Sequence, residues 1–173
     1  DYNVASNYFK RSLALNSAQP RVWYNLGVSY QWAGRLNDAI EAFRRALEID
    51  PSSVEILEAL GRTFQKQNAH KDAIKVFRRA CDIAPHNAQM FYFLACGHIG
   101  DDNIDEARTV CMNFLETHPG DATMLSCLAL MAAEHGPEEE DAKYNRFDAI
   151  IQTVKVPTPE PFKSEQNFIQ VLI

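Results

Sequence analysis

Residues 23–51, WYNLGVSYQWAGRLNDAIEAFRRALEIDP, and residues 57–85, LEALGRTFQKQNAHKDAIKVFRRACDIAP, are two versions of one segment set 34 residues apart (57 − 23). Leu26/Leu60, Gly27/Gly61, Ala39/Ala73, Phe43/Phe77, Ala46/Ala80 and Pro51/Pro85 are identical at that separation. Tyr30 aligns with Phe64 and Trp23 with Leu57, while Asp38–Ile40 recurs as Asp72–Ile74 and Arg44-Arg45 as Arg78-Arg79. One further step finds Phe91, Leu94, Ala95, Ala107 and Pro119, a weaker third copy, and the next finds Leu125, Leu128 and Ala129. A step backwards lands on Ala5 and Phe9, so the chain opens in the second half of a unit. A fixed period of this size is the mark of a stacked-repeat architecture.

Within each unit the apolar spacing predicts two helices. The first carries a large apolar residue, then Leu-Gly three and four positions on, then an aromatic three further. The small residues at Gly27, Gly61, Ala95 and Ala129 predict close approach of two helix axes. Turns are expected at Gly34 and Asn68. The second helix carries Ala, a large residue four later and a small one three after that, and Pro51, Pro85 and Pro119 stand where it must end. One such hairpin cannot bury its own apolar faces, so copies stack to form a core.

The pattern W-x2-L-G-x2-Y, then A-x3-F-x2-A and a final P, resembles the tetratricopeptide repeat. Trp23, Leu26, Gly27, Tyr30, Ala39, Phe43, Ala46 and Pro51 fill every signature position of one copy. The resemblance implies an all-α, right-handed superhelical solenoid of antiparallel helix pairs. It divides the chain into the second helix of a truncated repeat (1–19), three repeats (20–53, 54–87 and 88–121) and divergent repeat-like or capping helices (122–155). A Pro-rich linker and the start of a C-terminal helix (156–173) complete it. Such arrays are protein-interaction scaffolds whose concave groove, lined by the first helices, takes an extended peptide or a partner helix.

Carried over by position, the groove residues are Arg21, Tyr24, Asn25, Val28 and Gln31 in the first full repeat. Glu55, Glu58, Ala59, Arg62 and Gln65 follow in the second, and Gln89, Tyr92, Phe93 and Cys96 in the third. Asn25 stands where family members bind a ligand backbone through the amide donor and acceptor, but Ala59, Phe93 and Cys127 break any asparagine ladder. Glu55 and Glu58 occupy places where a chaperone-tail carboxylate clamp needs Lys or Arg, so that reading is disfavoured. Tyr24, Tyr92 and Phe93 point instead to an apolar or amphipathic ligand, with the glutamates accepting a basic side chain. The competing reading is that these side chains only pack against neighbouring repeats.

Composition narrows the function classes. The 173 residues are 46% hydrophobic and 23% charged, in the range of a chain that buries a core. With 17 Lys plus Arg against 23 Asp plus Glu, the net charge is −6, which argues against nucleic acid as a partner. No apolar run reaches membrane-span length, so no membrane role is expected. Cys81, Cys96, Cys111 and Cys127 form no C-x-x-C pair, and read as packing residues of a reducing, cytoplasmic setting.

Two motifs imitate chemistry. Asp101–Glu106 (DDNIDE) begins like a calcium loop but has Glu106 at the sixth place and Met112 at the twelfth, where Gly and a carboxylate are needed. It reads instead as a polar turn capping the next helix. His70–Asp72 (HKD), with His118 or His135, has the spacing of a non-haem iron triad, but His70 is expected in a turn between helices. The doublets Arg44-Arg45 and Arg78-Arg79 read as solvated faces. No nucleophile–base pair, phosphate loop or G-x-S-x-G is found, so no catalytic, metal or cofactor residue is assigned and the chain does not read as an enzyme.

Towards the end, Glu138–Asp141 opens a predicted helix to about Val154, Pro157, Pro159 and Pro161 impose an extended linker, and Ser164 would cap a new helix. The stretch from Val156 on, VPTPEPF to NFIQVLI, is similar to linkers that join bacterial tetratricopeptide arrays to a following 2-oxoglutarate/Fe(II) oxygenase domain. That resemblance implies a recruiting or regulatory arm of a larger enzyme whose ligands lie beyond Ile173. A third reading is a self-associating array, a homo-oligomer formed through exposed repeat ends.

Overall fold

The helices keep the 34-residue period (20, 54, 88, 122 and 2, 36, 70, 104) without slippage. The computed structural model describes residues 2–135. The first helices of the units are α2 (Pro20–Trp32), α4 (Val54–Lys66), α6 (Ala88–Gly100) and α8 (Ala122–His135). The second helices are α1 (Tyr2–Leu15), α3 (Leu36–Ile49), α5 (His70–Ile83) and α7 (Ile104–Thr117). From α1 to α7 each helix packs on the next, α2 also touches α4, and α4 touches α6. Among the described residues there is no strand, and the architecture is an all-α solenoid.

The turn inside each unit is the same device three times. Arg35, Ala69 and Asn103 donate their N–H groups to the carbonyls of Tyr30, Phe64 and His98, each at 2.9 Å. Gly34, Asn68 and Asp102 donate to Gln31, Gln65 and Ile99 at 3.1, 2.9 and 3.0 Å. This paired closure is the Schellman motif, which needs one left-handed residue just past the helix. Gly34 (φ 74°), Asn68 (φ 57°) and Asp102 (φ 62°) are those residues.

The core follows the repeat. Ala39, Ala73 and Ala107, Phe43, Phe77 and Cys111, and Leu26, Leu60, Leu94 and Leu128 are all buried. Gly27 lies against the Phe43 ring and Gly61 against the Phe77 ring, so the expected close approach is realised there. In the third unit Ala95 and Cys111 stand at the same two places, both fully buried, so a methyl is gained where a ring is lost. Ala129 is exposed, and the helix expected to approach it falls outside the described residues.

Three further readings change. His70 opens α5 and does not sit in a turn. The turn before α7 supplies no side-chain cap: the Asn103 side chain donates to Asp101 instead. The arginine doublets are exposed but not merely solvated. Arg45 pairs with Glu41 and Glu48, the Arg44 guanidinium lies over the Phe64 ring, and Arg79 donates to the Pro51 carbonyl. The predicted final helix, the proline linker, the Ser164 cap and the oxygenase-type linker fall outside the described residues.

Candidate functional site

The predicted groove residues lie on α2, α4 and α6, whose mutual contacts set them side by side. Arg21 Nη1 meets Glu55 Oε2 across α2 and α4 at 3.3 Å. Tyr24 is half-buried beside the same carboxylate, with its ring tilted on Phe43. Burial first, then the negative charge of Glu55 and a hydrogen bond to it, hold the Tyr24 phenol above its ordinary range, with Arg21 opposing. On α4, Arg62 Nη1 meets Glu58 Oε1 at 3.3 Å, and its guanidinium lies 5.6 Å from the centroid of the Phe93 ring on α6. Gln65 Nε2 donates to the Phe93 carbonyl at 3.5 Å.

These contacts pair each groove glutamate with a groove arginine, leaving no cluster of like charge. Phe93 is engaged by packing, stacked on Phe77 at 5.3 Å and against Tyr92 at 5.8 Å. Tyr92 is half-buried, with its phenol raised above its ordinary range chiefly by the neighbouring Cys96 thiol. Val28 is half-buried against the core. Asn25 differs from the rest. Its carbonyl accepts the Ser29 hydroxyl at 2.9 Å, but its side-chain amide has no partner among the described residues.

Sequence reasoning did not single out Thr63, which is fully buried. Its hydroxyl donates to the Ala59 carbonyl at 2.6 Å and accepts from Gln31 Nε2 at 2.9 Å, tying α2 to α4 beneath the groove. A polar residue among the apolar positions of α4 was the available signal. Trp32 also escaped notice: it is exposed, stacked on Tyr2, with Lys66 Nζ 6.0 Å from its ring. Away from the groove, a cleft is walled by α1 and α3 over Leu26 and Tyr30, with Lys10, Asp38 and Glu41 at its edge. Among the described residues no group of three or more His, Cys, Asp or Glu is placed to hold a metal ion. No described helix is long and apolar enough to cross a membrane.

A tetratricopeptide repeat model matches residues 20–53, the span of α2 and α3, and a second matches 54–87, the span of α4 and α5. Residues 20–87 are two tetratricopeptide repeats. The family's general role is that of a protein-interaction scaffold, and the repeats support that role here. Among solved structures, one titled as MamA superimposes with a TM-score of 0.69 at 23% identity, over 88% of each chain. MamA 41-end from Desulfovibrio magneticus RS-1 gives 0.67 at 18% identity, over 87% of this chain and 84% of that one. Another, titled MamA protein, gives 0.63 at 22% identity over 66% of this chain and 63% of that chain, less than two thirds of its length. At such identities the likeness is one of fold. No curated protein matches the tetratricopeptide chain in sequence.

Proposed function

We propose that this scaffold binds a peptide or partner helix along α2, α4 and α6, with Asn25 holding the ligand backbone. The observation that carries the reading is the Asn25 amide, a donor and an acceptor left without an intramolecular partner among the described residues, one turn along α2 from Arg21 and next in the chain to half-buried Tyr24. A half-buried amide of this kind is well suited to a ligand's backbone N–H and C=O. Because Glu55 and Glu58 offset Arg21 and Arg62, the groove favours an apolar or amphipathic segment with a basic side chain over an acidic tail.

A library of random twelve-residue peptides displayed on phage, selected on the 173-residue chain, tests this. The expected outcome is enrichment of apolar and Lys/Arg-containing peptides, whose affinity falls about tenfold, or ~1.4 kcal/mol, in Asn25→Ala/Tyr92→Ala. Enrichment of acidic peptides, or unchanged binding by the folded double variant, overturns the reading.

One observation favours self-association as a second reading. Val4, Tyr8 and Leu15, four and seven residues apart on one stripe of α1, are 50%, 66% and 91% exposed. Helix α1 keeps the register of the second helices α3 and α5, so a first helix of another copy can lie on it as first helices lie on those. Sedimentation over a concentration series is expected to show mass growth that Tyr8→Glu/Leu15→Glu abolishes. A constant monomer mass rules it out.

A further inference from the structure

His86 and His118 stand in successive turns between repeats, His86 between α5 and α6 and His118 directly after α7. His86 Nδ1 lies 3.2 Å from His118 Nε2, and the two rings meet edge to face with centroids 5.2 Å apart. The repeat itself requires neither residue. One period earlier (86 − 34 and 118 − 34) the same places carry Ser52 and Ala84, while the helices around them keep their spacing. The facing pair of imidazoles is therefore a feature of this one junction.

The His118 ring is fixed in place by its own surroundings. It lies flat on the buried Phe114 ring, with 4.3 Å between centroids and 10° between planes, and Phe114 packs in turn on Phe91 at 4.7 Å. Its Nδ1 faces the Thr117 hydroxyl at 2.8 Å and the Phe114 carbonyl at 3.4 Å. A carbonyl can only accept, and the Thr117 hydroxyl already donates its proton to that carbonyl at 3.1 Å. The His118 proton is therefore on Nδ1, and the bare Nε2 lone pair is turned towards His86. A metal-ligating histidine is held in the same way, its other ring nitrogen donating to a carbonyl or hydroxyl that sets tautomer and orientation.

We propose that His86 Nδ1 and His118 Nε2 form a two-nitrogen site for a zinc ion, joining the turn after α5 to the turn after α7. Two nitrogens at the usual zinc–imidazole distance from a tetrahedral ion stand about 3.3 Å apart, close to the 3.2 Å found here. Square-planar coordination would bring them to about 2.8 Å, so tetrahedral zinc fits the separation better than divalent copper or nickel. In the free chain the His86 Nδ1 proton bridges the two rings. Zinc takes its place once His86, exposed in its turn, moves that proton to Nε2 through solvent and swings its ring, while His118 stays on Phe114. No third His, Cys, Asp or Glu joins the pair among the described residues, so water fills the remaining positions and the site is weaker than a four-ligand structural centre. The bound ion fastens the second repeat to the third. No groove residue takes part, so the inference stands apart from the peptide-binding reading.

The test is titration of zinc chloride into the 173-residue chain, with the histidine ring nitrogens followed by NMR. The wild type is expected to take up a zinc ion that shifts the His86 and His118 signals together. His86 changes from the Nδ1–H to the Nε2–H form, and His118 keeps its proton on Nδ1. His86→Ala and His118→Phe are each expected to weaken this uptake by more than about tenfold, the usual loss when even a supporting group of a metal site is disturbed. Because His86 is exposed and His118→Phe keeps a ring on Phe114, both variants are expected to stay folded, which circular dichroism checks. Zinc taken up equally by both variants, a response from only one of the two rings, or no response from either would each overturn the proposal. The wild-type ring signals decide this even where a substitution disturbs folding.

Discussion

A Cβ atom placed on Gly27 would stand 2.6 Å from the Phe43 ring, and one on Gly61 would stand 2.5 Å from the Phe77 ring. No ordinary side-chain contact is that short, so in both repeats the glycine is the space the phenylalanine fills. Alanine in a helix interior is otherwise favoured over glycine by roughly 0.5–1 kcal/mol. Overpacking wins here. Gly61→Ala is expected to lower unfolding stability by about 1–3 kcal/mol, read from urea midpoints at constant slope. Gly61→Ala/Phe77→Leu is expected to lose less than the two single variants added together, since each change relieves the other. Strict additivity would show that the two residues do not share the space.

The three Schellman turns differ in what their left-handed position costs. A Cβ on Gly34 would meet nothing within 4 Å, so only the φ of 74° opposes a side chain there. Gly34→Ala is expected to cost about 1 kcal/mol, the left-handed penalty of an L-residue. Asn68→Gly and Asp102→Gly are expected to gain up to about 1 kcal/mol at φ of 57° and 62°. Thermal unfolding of the three variants checks the signs. A loss at Asp102→Gly would mean that its side chain, not its backbone, holds the turn.

The contrast between repeats shows how far the sequence is legible. The period, the helix pairing and the Gly·Phe contacts are visible because Leu26/Leu60, Gly27/Gly61 and Phe43/Phe77 are identical. The third repeat is faint because its packing is compensated, with Ala95 and Cys111 for Gly and Phe, and His98 for Tyr30 and Phe64. Asp102 was hidden because Asp serves caps, metal loops and left-handed turns alike. Within the groove, Arg21 and Glu55 are opposite charges at one repeat position, so their pairing was available from the register. The Arg62–Phe93 and Gln65–Phe93 contacts link different repeat positions (62 − 34 = 28 and 93 − 68 = 25) and need coordinates.

His98 fills the aromatic place of α6 and is 6% exposed, and neither ring nitrogen has a hydrogen-bond partner among the described residues. Burial first, then Arg78, lowers its pKa, with Glu106 and Asp101 opposing. The unfolded chain therefore takes up this proton at higher pH than the folded one. Stability from the neutral ring is full above the ordinary histidine value near 6.5 and is lost as pH falls below it, by no more than ~1.4 kcal/mol per pH unit. His98→Phe, the residue of the preceding repeat at Phe64, removes that dependence. Urea midpoints at several values between about pH 7.5 and 5 are expected to fall more steeply for the wild type than for the variant. Parallel curves would contradict this.

The exposed Arg21–Glu55 pair, with side chains 77% and 54% accessible, contributes little to stability. Its effect lies in the groove's charge. Glu55 raises the Tyr24 phenol both through its charge and through a hydrogen bond, while burial, the largest cause, remains when the carboxylate is removed. Glu55→Gln is therefore expected to change unfolding stability by less than about 0.5 kcal/mol. It is expected to lower the Tyr24 pKa without returning it to the ordinary tyrosine value. The Arg21 guanidinium then keeps its charge with no carboxylate opposite, and selected basic peptides should bind more weakly to the variant. Tyrosine ionisation followed by NMR, with Tyr24→Phe to assign the signal, reads the shift directly. A Tyr24 pKa that stays fixed in Glu55→Gln would place the carboxylate out of reach of the phenol and remove Glu55 from the groove's electrostatics.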